Sequence, residues 1–175
     1  METPSNPILS IVDLKMVSDI CKSRNIISVI DNTFASPFNQ NPIDFGIDIV
    51  LHSATKYISG HSDISAGAVL SSNEMIDRIH ETSLNFGGTL NALMCHLLER
   101  SLKTLAVRLT QHNENAQVLA DWLDANSKIK KVYFPGLKSH PGHEIARNQM
   151  MGFGGMLTFD IGGIDSFQFQ KNLRL

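Results

Sequence analysis

The feature of this 175-residue sequence best suited to covalent chemistry is a lysine closing a short hydroxyl-bearing motif, Ser53-Ala54-Thr55-Lys56. A desolvated lysine amine adds to a carbonyl to form a Schiff base. Neighbouring hydroxyls and turn amides can hold phosphate oxygens. Asp31, 25 positions earlier, adds a carboxylate that could keep a ring nitrogen protonated. Taken alone, each signal is weak, because a lone loop lysine is usually a solvated charge. Their weight depends on where the chain places them.

The elements that must position these residues follow from turn signals and apolar spacing. Val12, Met16, Val17 and Ile20 recur at helical spacing, which predicts an amphipathic helix over Val12 to Ser23. Ile26 to Ile30 is a short apolar run that stops at Asp31-Asn32-Thr33. Ile47 to Leu51 repeats the pattern before His52-Ser53-Ala54-Thr55-Lys56, and Ala66 to Leu70 is a third candidate strand. Short apolar strands with polar residues at their C-terminal ends predict a buried, mainly parallel α/β sheet. Ligands of such sheets sit outside the carboxyl ends of the strands. Asp31 and the Ser53–Lys56 group each follow such an end. An amine, phosphate-binding hydroxyls and a carboxylate for a pyridine nitrogen are together what pyridoxal phosphate chemistry requires.

Beyond Asn73 the pattern is helical. From Leu90 to Trp122 it predicts one long helix or two nearly continuous ones, since no Gly or Pro falls between Leu90 and Ala125. Leu98, Leu102, Leu105 and Leu109 form one stripe, read for the most part as core, with a portion that could face a partner. Val132-Tyr133-Phe134 and Met156 to Ile161 read as strands, and Ile164 to Leu175 begins a helix.

Composition narrows the function classes. Hydrophobic residues make up 42% and charged residues 18%, ordinary for a globular domain. A net charge of −2 gives no basic surplus for a nucleic-acid or anionic-membrane partner. No apolar run reaches membrane-spanning length, and residues 1–7 lack a signal-peptide pattern, so a soluble, cytoplasmic protein is expected. Cys21 and Cys95 are too few for a disulfide framework, and Cys95 reads as a small buried hydrophobe. No metal site is expected: His140 and His143 flank Pro141-Gly142, which spoils a helical ligand face. His61 and Asp63 read as a turn-stabilising pair, and His52 and His112 as structural or surface residues. Gly154-Gly155 precedes a strand rather than a helix, so close packing accounts for it better than a phosphate loop. No Gly-x-Gly-x-x-Gly turn supports a nicotinamide-binding dehydrogenase.

Several motifs occur in one order: Glu2-Thr3-Pro4-Ser5-Asn6-Pro7, Asp31-Asn32-Thr33-Phe34-Ala35-Ser36-Pro37, Ser53-Ala54-Thr55-Lys56-Tyr57 and Gly60-His61-Ser62-Asp63. Leu102-Lys103-Thr104-Leu105, Tyr133-Phe134-Pro135-Gly136-Leu137, Ser139-His140-Pro141 and Gly154-Gly155-Met156 follow. As an ordered set they resemble the Cys/Met-metabolism family of pyridoxal-phosphate enzymes, from Glu2 to about Leu175. The family includes cystathionine γ-synthase, γ-lyase and β-lyase, methionine γ-lyase and homoserine sulfhydrylases.

The resemblance implies an α/β, aspartate-aminotransferase-like type I fold. Residues 1–110 would be the C-terminal half of the cofactor domain, and 111–175 a bridging helix and the start of the small C-terminal domain. It implies pyridoxal 5'-phosphate as cofactor, with Lys56 as the Schiff-base and proton-moving lysine. Asp31 would pair with the pyridinium nitrogen, Ser53 and Thr55 would hold the phosphate, and Asn6 would lie near the phenolic oxygen. The implied activity is transsulfuration by γ-elimination or γ-replacement on a sulfur-containing or homoserine-derived amino acid, in a homotetramer. Within the class, β-lyase, methionine γ-lyase and O-acylhomoserine sulfhydrylase are the alternatives.

The family pattern also extends past both ends of this sequence. The stacking aromatic residue, the glycine-containing phosphate turn and the Tyr-x-Arg segment precede Met1 in that pattern. The Ser-Leu-Gly-Gly region and the arginine for the substrate carboxylate follow Leu175, and Arg174 is too early for that role. The expectation is therefore a piece of a longer enzyme. An inactive fragment or assembly module is the competing reading.

Overall fold

The computed structural model describes residues 1–163 and 165–174. Helix α1 (Leu14–Ser23) begins where the Asp13 carboxylate accepts the Met16 N–H at 2.9 Å, a side-chain N-cap. Its apolar face buries Leu14 against strands β1 (Val29–Asp31) and β2 (Ile49–Ser53). Leu14, Ile30, Ile47 and Val50 form this core with Phe45 packed on it. Full burial of Leu14 or Ile30 contributes about 1.5–3 kcal/mol each, and Leu14→Ala would cost about 2–5 kcal/mol.

β1 and β2 run parallel, pairing Val29 with Ile49 and Asp31 with Leu51. β3 (Gly67–Leu70) is antiparallel to β2, pairing Ser53 with Gly67. The sheet is thus mixed rather than mainly parallel. β3 is apolar yet largely exposed, and a short apolar run reads alike in either direction, so it carries no sign of the reversal. Short helix α2 (Ser36–Asn39) and a 3-10 turn (Pro42–Phe45) connect β1 to β2.

After α3 (Asn73–Phe86), two helices follow, α4 (Ala92–Leu102) and α5 (Leu105–Asp124). Of the two expected forms the chain takes the second, two nearly continuous helices parted at Lys103-Thr104 without Gly or Pro. The Ser101 carbonyl there accepts the Thr104 N–H and hydroxyl, at 3.2 and 3.1 Å, and an Arg108 N–H at 3.1 Å. Partners from outside the helical ladder satisfy that carbonyl and end α4. The leucine stripe is only partly core: Leu109 is fully buried, whereas Leu102 stays 46% exposed.

The remaining elements are β4 (Lys131–Tyr133), α6 (His143–Gln149), β5 (Thr158–Asp160) and α7 (Ser166–Lys171). β4 and β5 are antiparallel. Ala116, Ala120 and Leu123 of α5 pack against Val132, Phe134 and Leu137 in a second core. The helix expected over 164–175 is α7, with Ile164 and Leu175 outside the described residues. Gln149 joins distant parts of the chain: its carbonyl accepts the Leu14 N–H, and its amide donates to Val12 and Gln40.

Candidate active site

Parallel pairing of β1 with β2 brings Asp31 and Ser53 to neighbouring strand ends. Thr33 joins them. Its backbone N–H donates to Asp31 Oδ1 at 2.9 Å, and its Oγ1 accepts the Ser53 N–H at 2.7 Å. The Asp31 N–H donates to the Met1 carbonyl at 2.9 Å, fixing the backbone that carries the carboxylate. Asp31 Oδ1 is thereby engaged locally, and Oδ2 accepts no hydrogen bond among the described residues.

After Ser53 the chain folds into a tight turn. The Lys56 N–H donates to Ser53 O at 3.1 Å, Ser59 N–H to Ala54 O at 2.9 Å, and Gly60 N–H to Lys56 O at 2.7 Å. Ala54 is fully buried beneath the turn. Thr55 closes the loop that follows. Its N–H and hydroxyl both donate to Ala66 O, at 3.1 and 3.2 Å, and its Oγ1 accepts the Ala66 N–H at 2.9 Å. To hold a phosphate oxygen, the Thr55 hydroxyl proton would have to turn away from Ala66 O while the Ala66 N–H keeps Oγ1 in place.

The turn forms one wall of a cleft of ≈ 750 Å³ lined by Asn6, Thr33, Thr55, Lys56, Tyr57 and His112 among others. Lys56 stands exposed at this cleft. Gly155 and Met156 line it as well. Of the expected site residues, Asn6, Thr55 and Lys56 line the cleft. Asp31 and Ser53 sit beyond its lining and connect to it through Thr33. Gly155 is closely packed, as expected: a Cβ there would fall 2.9 Å from Tyr57 Oη and 3.0 Å from the His112 Cβ.

Burial sets the protonation behaviour of the wall. The His52 imidazole, one strand position before Ser53, is pushed below its ordinary value by burial, and the Asp31 charge partly opposes this. Burial raises the Tyr57 phenol, with the Gly155 N–H acting the other way. The Tyr57 ring meets His112 edge-on, with centroids 5.3 Å apart.

Thr33, His112 and Arg108 escaped the sequence reading as site residues. Arg108 and His112 lie four apart on α5, so one helix face presents both, but nothing local ties that face to the Lys56 turn. Other local expectations are met differently. His61 Nδ1 lies 2.6 Å from the Ser59 carbonyl, a turn contact. His140 Nδ1 accepts the Gly142 N–H, and His143 Nδ1 lies 2.8 Å from Pro135 O. Cys95 is exposed rather than buried, because α4 turns that face outward. Among the described residues, no three His, Cys, Asp or Glu side chains group as metal ligands. None of the described helices is long and apolar enough to cross a membrane.

The donor set fits a phosphorylated pyridine aldehyde: an exposed primary amine, hydroxyls beside it, and a carboxylate with one free oxygen behind them. Comparisons with known proteins agree. A family model described as Cys/Met metabolism PLP-dependent enzyme matches residues 1–175. The chain is 47% identical to a cystathionine beta-lyase of Lactococcus lactis subsp. cremoris, over 99% of this chain and 46% of that protein. It superposes on cystathionine gamma-lyase from Lactobacillus plantarum, complexed with L-serine, with a TM-score of 0.96 and 38% identity, over 99% of this chain and 46% of that one. Against cystathionine gamma synthase from Xanthomonas oryzae pv. oryzae, in complex with aminoacrylate and cysteine, the TM-score is 0.92 at 45% identity. That match covers 95% of this chain and 43% of the other. The chain thus spans about half the length of the relatives it matches, and its α/β fold is theirs.

Proposed function

The chain belongs to the Cys/Met metabolism PLP-dependent enzyme family, and from that premise we propose that it carries the cofactor-lysine part of a transsulfuration enzyme. The reaction is γ-elimination or γ-replacement on a sulfur-containing or homoserine-derived amino acid. The observation that carries this reading is the convergence of Lys56, Thr55 and Asn6 on one cleft, backed by the Asp31–Thr33–Ser53 chain.

When bound, pyridoxal phosphate draws electrons from the substrate's Cα and so weakens the bonds to be broken. The protein's own residues do the rest. Lys56 holds the cofactor through its Nζ and then carries protons between substrate carbons. Asp31 would keep the pyridine nitrogen protonated. The Ser53 and Thr55 hydroxyls bind phosphate oxygens, and Asn6 approaches the phenolic oxygen. Tyr57, His112 and Gly155 pack together at the cleft.

The γ reading draws on the gamma-lyase and gamma-synthase structures to which the chain is so similar, and β-elimination is its nearest competitor given the beta-lyase relative. The same reading takes the whole protein to be a cytoplasmic homotetramer, with a domain boundary near residue 110, inside α5. In support, the first half of α5 meets the Lys56 turn through Arg108, while its second half packs on β4.

The experiment is borohydride trapping. The purified chain is incubated with pyridoxal phosphate, reduced and digested, and labelled peptides are weighed beside Lys56→Ala. Label on Lys56, absent from the variant, is expected; label spread over surface lysines would overturn the assignment. Turnover of cystathionine, methionine and O-acylhomoserine by the protein then separates lyase from synthase and sulfhydrylase. No turnover of any of them, with Lys56 labelled, would favour an assembly module.

A further inference from the structure

Lys56 ends in a long, flexible, exposed side chain, so the position of its Nζ depends on how firmly the backbone turn beneath it is held. One side chain from another element holds that turn. Arg108, on α5, donates from Nη1 to the Tyr57 carbonyl at 2.7 Å and from Nη2 to the Ile58 carbonyl at 3.4 Å. These are the two carbonyls directly after Lys56. The rest of the guanidinium is anchored at the α4–α5 junction: Nη2 also donates to Ser101 O at 3.1 Å, and Nε donates to Thr104 Oγ1 at 3.1 Å. Four of the five N–H donors of the planar fork are thereby engaged.

The turn is shaped around this fork. Gly60 closes it at φ +71°, and a Cβ there would fall 2.1 Å from Arg108 Nη1. A side chain at 60 would therefore both strain the backbone and displace the guanidinium. We propose that Arg108 is a positioning residue for Lys56: its fork fixes the Tyr57 and Ile58 carbonyls and so sets where the Lys56 amine stands in the cleft. The inference rests on the reading of Lys56 as the cofactor lysine. A lysine at 108 offers a point charge without the paired geometry and would replace only part of this function.

The test uses the protein with Arg108→Ala, Arg108→Lys and Thr104→Val, the last removing the acceptor that orients Nε together with the hydroxyl bond to Ser101 O. Three quantities are read: the rate of borohydride-trapped pyridoxal phosphate on Lys56, the visible circular dichroism of the bound cofactor, and the thermal midpoint. Arg108→Ala is expected to slow trapping by about 10- to 100-fold, as misplacing a reacting group does, and to alter the dichroism. Arg108→Lys should recover part of the rate, and Thr104→Val should lose a smaller factor, beyond what any fall in its midpoint accounts for. Millimolar guanidinium should restore trapping in Arg108→Ala. Wild-type trapping and dichroism in Arg108→Ala would overturn the proposal. So would slowing that merely tracks the folded fraction, with no guanidinium rescue and no effect of Thr104→Val. Failure of the unsubstituted protein to trap at Lys56 would instead overturn the cofactor-lysine reading, and this inference with it.

Discussion

Asn39 and Asn113, 74 positions apart, exchange two amide hydrogen bonds, Asn39 Nδ2 to Asn113 Oδ1 at 3.1 Å and Asn113 Nδ2 to Asn39 Oδ1 at 2.8 Å. The pair couples the end of α2, downstream of Asp31, to α5. It also collects the loop that walls the cleft: Gly154 N–H donates to Asn113 Oδ1 at 3.0 Å, and Met151 N–H to Asn39 O at 2.8 Å. Two amides thus set the distance between the Asp31 side of the site and the Gly155–Met156 side.

Asn113→Leu would leave the fully buried Asn39 amide and the Gly154 N–H without partners. Each such loss costs about 1–3 kcal/mol. The expected result is a lower urea midpoint at constant slope, and an unmoved midpoint would show the pair to be dispensable. Gly152→Ala should act similarly, because a Cβ there would fall 2.4 Å from Asn113 Nδ2 and 2.7 Å from Asn39 Oδ1.

A smaller clasp aligns the starts of β1 and β2. Ser28 donates its N–H and hydroxyl to Asp48 Oδ2 at 2.8 and 2.7 Å, and Asp48 N–H returns a bond to Ser28 Oγ at 2.9 Å. The hydroxyl bond, then the backbone bond, hold the Asp48 carboxyl below its ordinary value. A depressed carboxyl contributes stability that is present above its unfolded value and lost as pH falls through the folded one. Ser28→Ala should therefore cost about 1 kcal/mol near neutrality and less in acid. An equal loss at both pH values would contradict the clasp.

Two histidines act in the opposite sense of charge. Burial lowers His52 and, with its neighbours, His140. Both stay neutral in the folded chain where the unfolded chain has begun to protonate them. The unfolded state then binds more protons below its ordinary value of about 6.5, so stability falls as pH drops from there towards the folded values. The slope cannot exceed about 1.4 kcal/mol per pH unit for each histidine. His52→Gln, compared with the parent by urea unfolding at about pH 7.5 and about pH 5.5, should flatten that fall. Parallel pH curves would refute the assignment.

What the sequence made legible follows from how local each signal is. Asp31, Ser53, Thr55 and Lys56 stand at strand ends, where an apolar run gives way to polar residues, and both the strands and their ends are local features. Arg108 acts across 51 positions on backbone carbonyls, and no spacing rule couples a helix arginine to a distant turn. The position of the break between α4 and α5 escaped for a related reason. It comes from a hydroxyl and a guanidinium competing for one carbonyl, and not from Gly or Pro. Exposed Leu102 shows the same limit: a stripe fixes the face of a helix but not how far along it the neighbour extends.

Thr33 is the residue through which that local site becomes one unit, and it offers the most direct test of whether Asp31 and Ser53 act together. Its Oγ1 accepts the Ser53 N–H, and its own N–H orients Asp31 Oδ1. Thr33→Val keeps the branched shape and the backbone N–H but removes the acceptor. The Ser53 amide is then left unpaired at the strand end, at a cost of about 1–3 kcal/mol. If Ser53 holds the cofactor phosphate, this freedom should weaken pyridoxal phosphate binding about tenfold, equal to about 1.4 kcal/mol, measured by equilibrium titration. Thr33→Ser keeps the oxygen and should bind nearly as the parent does. Equal affinity in Thr33→Val would mean that the phosphate takes its contacts elsewhere, and Ser53 would leave the site.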